Sequence, residues 1–152
     1  MRQPEWYCDA DVKGLGKTLA GMRLPVTWPG DDGERASERL RQPPSPIQDP
    51  ATADELWIPE VTRAGLVIIT RDSKIMDRVA EIDAVIASRA RMFVITSHSQ
   101  LDLWDEVRIV AAQWSTMIRR RERPGPFVDS ITLSGTRRLV PATDDGDGLN
   151  GD

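Results

Sequence analysis

Three acidic positions, far apart along the chain, lie where a metal-binding site is expected. Asp9 follows the short apolar run 6–8, Asp72 follows the β-branched run 66–70, and Asp54 begins a helix between them. Ligands of parallel sheets bind beyond the carboxyl ends of the strands, so we expect these carboxylates to converge. Close carboxylates repel unless a cation lies among them, and hard oxygen ligands suit Mg²⁺ or Mn²⁺. Such an ion activates water beside a phosphoryl group, so the pattern predicts metal-dependent phosphodiester hydrolysis.

Each of these acids also has a structural interpretation. Asp9 or Asp11 can cap the first helix, and Asp54 and Glu55 are favoured at the positive end of any helix dipole. Asp72 can begin the helix that follows its strand. Taken singly, each acid is more often structural than catalytic, and it is their joint placement at strand ends that favours a site.

The elements that must position these acids alternate between strand and helix. Short apolar runs predict strands, and apolar residues at helical spacing predict helices. The predicted strands cover 6–9, 26–28, 66–70, 92–95 and 128–133, and the predicted helices cover 12–22, 53–64, 73–89 and 101–121. This order indicates an α/β fold with a mainly parallel central sheet. Gly14 and Gly16 weaken the first helix by about 1 kcal/mol each but permit close packing against the sheet.

A long polar, proline-rich loop interrupts this pattern at residues 29–52. A helical turn is predicted within 34–41, and a loop of this length in a compact domain is typically a functional lid or disordered. We therefore expect it to cover the site. Thr52 and Glu55 have the spacing of a capping box for the helix that follows.

Composition limits the class of protein. The chain has 152 residues with 39% hydrophobic and 29% charged residues, which excludes a mainly disordered chain and suits one domain, here residues 1–140. Its apolar runs are far shorter than the roughly 20 residues of a membrane span, and the N-terminus lacks a signal peptide's apolar core, so we expect a cytoplasmic protein. Cys8 is the only cysteine, which excludes an internal disulfide.

The net charge of −4 is concentrated in the last residues. Four aspartates lie in residues 141–152, which we expect to form a flexible acidic tail, and residues 1–139 carry 20 basic and 20 acidic side chains. The domain itself is therefore not repelled by nucleic acid.

Three segments together resemble the PIN-domain superfamily: WYCDADVKGLGKTLAG, DELWIPEVTRAGLVIITRDSKI and MFVIT. The resemblance covers about residues 5–138 and is closest to PIN-like proteins of VapC toxin type, related to the Mut7-C nuclease module. It implies a three-layer α/β/α sandwich and a Mg²⁺- or Mn²⁺-dependent ribonuclease that cuts single-stranded RNA. It also implies an antitoxin partner that lies across the acidic site, and a homodimer.

By the same resemblance, Asp9 matches the first family acid, Asp54 or its neighbour Glu55 the second, and Asp72 the third. These residues would be both the metal ligands and the catalytic residues.

The fourth family acid usually follows the next strand, and here the sequence departs from the pattern. Thr96, Ser97 and Ser99 occupy that place, with Asp102 further on. We expect Asp102 to serve through a water molecule, or Asp11 to substitute for it.

Four cations flank the predicted acidic site and are candidates for RNA phosphate contacts: Lys13, Lys17, Arg71 and Lys74. The arginines at 119–121 are better explained as cations at a helix C-terminus. His98, the only histidine, is expected to be a loop residue without a catalytic part.

Two alternatives stay open. One is a catalytically degenerate PIN-like module that only binds a partner. The other is a phosphatase of haloacid-dehalogenase type, whose DxD motif matches Asp9-Ala10-Asp11 and whose later Thr or Ser matches Thr70 or Thr96. In such a phosphatase the first aspartate is a nucleophile and not a metal ligand.

Overall fold

The computed structural model describes residues 1–71, 79–97 and 99–140, leaving out the side chains of residues 79 and 80. Strands and helices alternate through this part of the chain, as predicted. The strands are β1 (Trp6–Cys8), β2 (Val26–Thr27), β3 (Val67–Thr70), β4 (Arg91–Ile95), β5 (Phe127–Thr132) and β6 (Gly135–Val140). The helices are α1 (Lys13–Gly21), α2 (Asp54–Arg63), α3 (Val79–Ser88) and α4 (Leu103–Arg120).

The six strands form one sheet in the order β2-β1-β3-β4-β5-β6. All neighbours from β2 to β5 pair in parallel, and β6 alone is antiparallel, to β5. The predicted α/β fold with a mainly parallel sheet is confirmed, and it is consistent with a PIN-like sandwich. In the register of β1 and β3, Cys8 lies opposite Ile69, so the residues that follow them emerge at the same edge of the sheet.

Alternation along the strands divides the core into two layers. Trp6 and Cys8 pack with residues of α1 and α4 on one face of the sheet, and Tyr7 packs with residues of α2 and α3 on the other. All three side chains have no exposed surface. Successive strand residues point to opposite faces, so the three-residue β1 contributes to both layers and is central to the sheet.

The structure decides between the two acids that could cap the first helical turn. Asp9 is the cap: its side chain accepts a hydrogen bond from the backbone N–H of Ala10 at the start of the 3₁₀ turn 10–12. The capping box predicted from Thr52 and Glu55 is wrong. The N-cap of α2 is Ala53, because the hydroxyl of Thr52 donates to the backbone carbonyl of Asp49 instead. Thr52 is thus used by the loop that precedes the helix.

The segment 29–52 is packed around one buried acid, Asp31, which is 2% exposed. Its carboxylate accepts hydrogen bonds from Arg35 (2.8 and 2.9 Å), from Thr27 (2.7 Å) and from the backbone N–H of Gly33 (2.9 Å). Arg35 also donates to the carbonyl oxygen of Val26, and so does the side chain of Gln42. The segment therefore covers the outer edge of β2. The helical turn predicted within it is the 3₁₀ turn Glu38–Leu40.

Three of the predictions concern residues that the structure does not describe. The acidic tail 141–152, His98 and the first residues of the predicted helix 73–89 lie outside the described residues. Within them, no helix is both long and apolar enough to cross a membrane.

Candidate active site

The carboxyl ends of β1 and β3 place Asp9 and Thr70 side by side. The backbone N–H of Asp9 donates to the carbonyl oxygen of Ile69 at 3.0 Å, which extends the pairing of the two strands by one residue. The hydroxyl of Thr70 then donates to the Asp9 carboxylate at 3.2 Å. Asp9 is half-buried and is held by both strands at the sheet edge.

The Thr70 hydroxyl also reaches the carboxylate of Asp11, at 3.3 Å to one oxygen and 3.5 Å to the other. Asp11 comes within reach because the 3₁₀ turn 10–12 folds the chain back over the end of β3. Two carboxylates therefore share a single hydroxyl proton, although one hydroxyl can satisfy only one acceptor fully at a time. Such a pair of like charges favours a bound cation.

Asp54 enters the same region from the first turn of α2. The indole N–H of Trp57 donates to its carboxylate at 2.7 Å, one helical turn along. Trp57 is 4% exposed, and its ring lies 5.3 Å from that of the buried Tyr7 in β1. The neighbouring acid Glu55 is exposed. The structure therefore distinguishes two adjacent acids, since Asp54 is fixed toward the sheet edge through Trp57.

These acids line a cleft of about 460 Å³. Asp9, Ala10 and Asp11 form one side, and α2 with Pro50 and Thr52 forms another. The remaining lining residues are Thr70, Arg71, Glu81 and Met92. The end of the 29–52 segment is thus a wall of the cleft.

Among the described residues that line the cleft, Arg71 is the one cation, and it is anchored by residues at the start of α4. Its guanidinium donates to the backbone carbonyl of Leu101 at 2.9 Å and lies 3.3 Å from the carboxylate of Glu106 in α4. Burial raises the pKa of Glu106, and the positive charge of Arg71 offsets part of that shift. Arg71 therefore connects the start of α4 to the cleft.

Cys8 lies directly before these acids but is not available as a nucleophile. Burial raises the pKa of its thiol, and the charges of Glu106, Asp11 and Asp9 raise it further. The thiol is therefore protonated at neutral pH, and it packs against Gly16.

The donor set fits a hard divalent ion held by few ligands. Within the described residues, no group of three or more His, Cys, Asp or Glu side chains is placed to hold a metal ion. Mg²⁺ commonly uses only one or two carboxylates and keeps several water molecules. The Asp9 and Asp11 pair at the Thr70 hydroxyl meets that smaller requirement.

Of the other residues predicted for the site, only Arg71 is found lining the cleft among the described residues. Asp72 and Lys74 lie outside the described residues. Lys13 and Lys17 are in α1 and do not line the cleft, and Arg71 does. Asp102, expected to be a supporting acid, is instead the N-cap of α4, where it and Asp105 accept from each other's backbone N–H at 2.8 and 3.1 Å.

Two acids near the cleft were not singled out by sequence analysis. Glu81 is only 8% exposed and lines the cleft from α3. Glu106 is 6% exposed and holds Arg71. Glu106 lies three residues before Ile109 and four before Val110, so helical spacing places it on the buried face of α4. Glu81 lies four residues before the buried Val85 and shares a helix face with it. Asp11 was expected to support the site, and its contact with Thr70 places it there.

A family model described as a PIN-like domain matches residues 37–97. The matched range contains α2, β3, α3 and β4, with Asp54 and Thr70, whereas Asp9 and Asp11 lie before it. The match supports a PIN-like domain, which is a nuclease-type fold. Comparisons with curated proteins and with solved structures find no match.

Proposed function

We propose that the chain is a divalent-metal-dependent ribonuclease of PIN type that hydrolyses phosphodiester bonds in its acidic cleft. The observation that carries this proposal is the cleft itself, where Asp9, Asp11 and Asp54 converge from two separate segments at the carboxyl edge of a parallel sheet. Helix-capping acids also collect at this edge, but Asp11 is not the N-cap of α1 and still joins Asp9 at the Thr70 hydroxyl.

Asp9 and Asp11 would hold Mg²⁺ or Mn²⁺, with Asp54 facing them across the cleft and Asp72 completing the set as predicted from sequence. The bound ion would activate water and stabilise the negative charge that develops on the phosphoryl group. Thr70 orients the two carboxylates, and Trp57 fixes Asp54.

Arg71 would bind a phosphate oxygen of the RNA backbone. Its side chain is 30% exposed, and its contacts with Leu101 and Glu106 fix the guanidinium at the cleft. A planar guanidinium that is already oriented binds phosphate with little further loss of conformational freedom.

A second candidate function is a PIN-like module that binds a partner without catalysis. The absence of a three-ligand group within the described residues favours it. The two candidates differ in one measurable property, which is cleavage that requires both the metal ion and the acids.

The deciding experiment is a cleavage assay with purified protein, single-stranded RNA, and Mg²⁺, Mn²⁺ or EDTA. We expect cleavage with either metal, none with EDTA, and a loss of at least a hundredfold in Asp9→Asn, Asp54→Asn and Asp72→Asn. Asp83→Asn is the matched control, because Asp83 is an exposed acid of α3. Metal-independent or variant-independent cleavage would indicate a contaminating nuclease, and no cleavage would favour the binding module. Turnover of phosphate monoesters instead of RNA would favour the phosphatase.

We further propose a toxin role with an antitoxin partner, and a homodimer, on the basis of the resemblance to VapC-type proteins. Expression of the wild-type chain is expected to arrest growth, and expression of Asp9→Asn is not. Size-exclusion chromatography with light scattering measures the oligomeric state directly.

A further inference from the structure

Trp104 is unlike every other aromatic side chain of the protein. All eight aromatic residues lie in the described part of the chain, and Trp104 alone is exposed, at 67%. Tryptophan is highly buried on average in folded proteins. Trp104 also lies in the first turn of an 18-residue helix whose start is fixed by the capping box of Asp102 and Asp105. A large flat ring is thus held in solvent on a rigid backbone.

The turn that carries Trp104 is attached to the candidate active site. Arg71, which lines the cleft, bonds to Leu101 just before this turn and to Glu106 within it. Trp104 lies two residues before Glu106, on the solvent side of the same helical turn. Because Arg71 contacts this turn, a nucleic acid strand that leaves the cleft past Arg71 would reach the start of α4.

Three cations lie on the two helices that meet at this turn. Leu103 is next to Gly14, since a Cβ atom at Gly14 would lie 3.9 Å from the Leu103 side chain. Lys13 and Lys17 are therefore near the same turn, with Lys17 exposed. Arg108 is one turn further along α4 and is half-exposed. Its guanidinium makes a long ion pair with the carboxylate of Asp105, at 3.9 Å.

The acidic residues of the turn are already engaged. Asp102 and Asp105 bind backbone N–H groups at the positive end of α4, and Glu106 binds Arg71. What remains for a ligand is one aromatic face beside flexible cations, which is the arrangement that single-stranded nucleic acids use for base stacking and phosphate contact.

We propose that Trp104 is a stacking platform for an unpaired base of a nucleic acid strand that also occupies the cleft, with Lys13, Lys17 and Arg108 contacting its phosphates. The platform rests on the proposed nuclease function and extends it, because it assigns a binding position outside the cleft. Among the described residues of this turn, the exposed large apolar side chains are Leu103 and Trp104, and this small apolar surface suits one base better than the large apolar core of a protein interface.

The test is a fluorescence titration of the full chain with ten-nucleotide oligouridine, in EDTA and again with Ca²⁺. The other four tryptophans are buried or half-buried, so quenching by a stacked base reports Trp104. Trp104→Ala is expected to raise the dissociation constant about five- to 150-fold. Trp104→Phe should retain most of the affinity and lose the quenching. Met22→Ala, which removes an exposed side chain after the far end of α1, should change neither.

A base-free strand of abasic deoxyribose phosphates separates stacking from charge. It should bind wild type and Trp104→Ala equally, and bind the Lys13→Ala, Lys17→Ala double variant more weakly. Equal affinity of wild type and Trp104→Ala for oligouridine would overturn the proposal, as would unquenched Trp104 emission, and Trp104 would then be a protein contact. If cleavage depends on Asp9 but Trp104→Ala binds oligouridine like wild type, only the proposed stacking role of Trp104 is contradicted. If binding depends on Trp104 but no cleavage occurs, only the proposed nuclease function is contradicted.

Discussion

At the scale of single residues, the candidate site depends on one hydroxyl between two carboxylates. Thr70 is 3% exposed, and its hydroxyl is within 3.5 Å of both Asp9 and Asp11. This hydroxyl is a donor shared by the half-buried carboxylate of Asp9 and the exposed carboxylate of Asp11. The hydroxyl therefore has an effect on stability that a surface threonine would lack.

Replacing Thr70 with valine removes the hydroxyl and keeps the β-branched shape. We expect Thr70→Val to lower the free energy of unfolding by about 1 kcal/mol in metal-free buffer, because the Asp9 and Asp11 charges lose their shared donor. Thr70→Ser, which keeps the hydroxyl, should retain most of the stability. Urea unfolding with EDTA measures both variants, and equal stability of wild type and Thr70→Val would show that this donor is not needed.

The identity of the site residues was only partly readable from the sequence. Asp9 was predicted because an acid directly after an apolar run must emerge at the sheet edge. The choice between Asp54 and Glu55 depends on which side chain the Trp57 indole can reach, and this is set by helix geometry and not by either acid. Thr70 joins Asp9 and Asp11 across about 60 residues of chain, a contact that no local pattern reports.

At the scale of elements, the close approach of α1 to β1 depends on Gly16 and not on Gly14. A Cβ atom at Gly16 would lie 3.0 Å from the Cβ of Cys8 in β1, whereas at Gly14 the nearest atom would be 3.9 Å away. The sequence predicted that glycines permit close packing here, and the structure confirms this for Gly16. Gly14 is exposed and has room for a side chain.

The two glycines form a matched pair for a stability measurement. Gly16→Ala should destabilise the fold by about 1–3 kcal/mol, because α1 must move away from the strand that carries Asp9. Gly14→Ala should stabilise it by up to about 1 kcal/mol, because alanine favours the helix and meets no close contact. Thermal unfolding of both variants distinguishes them. Stabilisation by Gly16→Ala would show that the Cys8 side chain can move to accept the added methyl group, which would contradict this prediction.

The stability of the segment 29–52 depends on the negative charge of Asp31. Burial alone would raise the pKa of this carboxyl, but hydrogen bonds from Arg35, Gly33 and Thr27 lower it below its usual value. The folded state therefore binds a proton less readily than the unfolded state does. The resulting stability is complete above the unfolded pKa of about 4 and is lost as pH falls through the lower, folded pKa.

Asp31→Asn tests this linkage. At pH 7 the variant should lose about 3 kcal/mol of stability, because Arg35, whose side chain is 8% exposed, keeps a buried charge without its partner. Below pH 4 the stability of wild type should fall more steeply than that of the variant. Asp32→Asn is the control, since Asp32 is exposed. Parallel acid curves for wild type and Asp31→Asn would contradict the assignment.

Element types were easier to predict than their ends and edges. Buried strands such as 66–70 have a continuous β-branched pattern, whereas β6 was missed because its sequence, GTRRLV, is polar and half-exposed. What fixes β6 is tertiary: it pairs with β5, and Arg138 lies 3.5 Å from the fully buried carboxylate of Asp129. The packing of 29–52 around Asp31 likewise depends on hydrogen bonds with Val26 and Thr27 of β2, which the proline-rich sequence of the segment does not predict.

At the scale of the whole molecule, the cleft collects residues from segments that are remote in sequence. Asp9, Asp54, Thr70 and Glu81 meet there only when the sheet has formed and α2 and α3 have packed against it. A cation held at Asp9 and Asp11 therefore binds the folded chain and not the unfolded one. Binding energy at the cleft must then appear as stability of the entire fold.

Metal binding is accordingly expected to raise the melting temperature. At a Mg²⁺ concentration tenfold above the dissociation constant, linkage contributes about 1.4 kcal/mol, or about 3–5 °C for a domain of this size. The Asp9→Asn, Asp11→Asn double variant should show no such shift, and Asp83→Asn should respond like wild type. In EDTA the difference in stability between the double variant and wild type measures the net effect of the two carboxylates on the metal-free fold. An equal Mg²⁺ shift in wild type and the double variant would place the ion elsewhere, because only a site that contains these two carboxylates loses the shift with them.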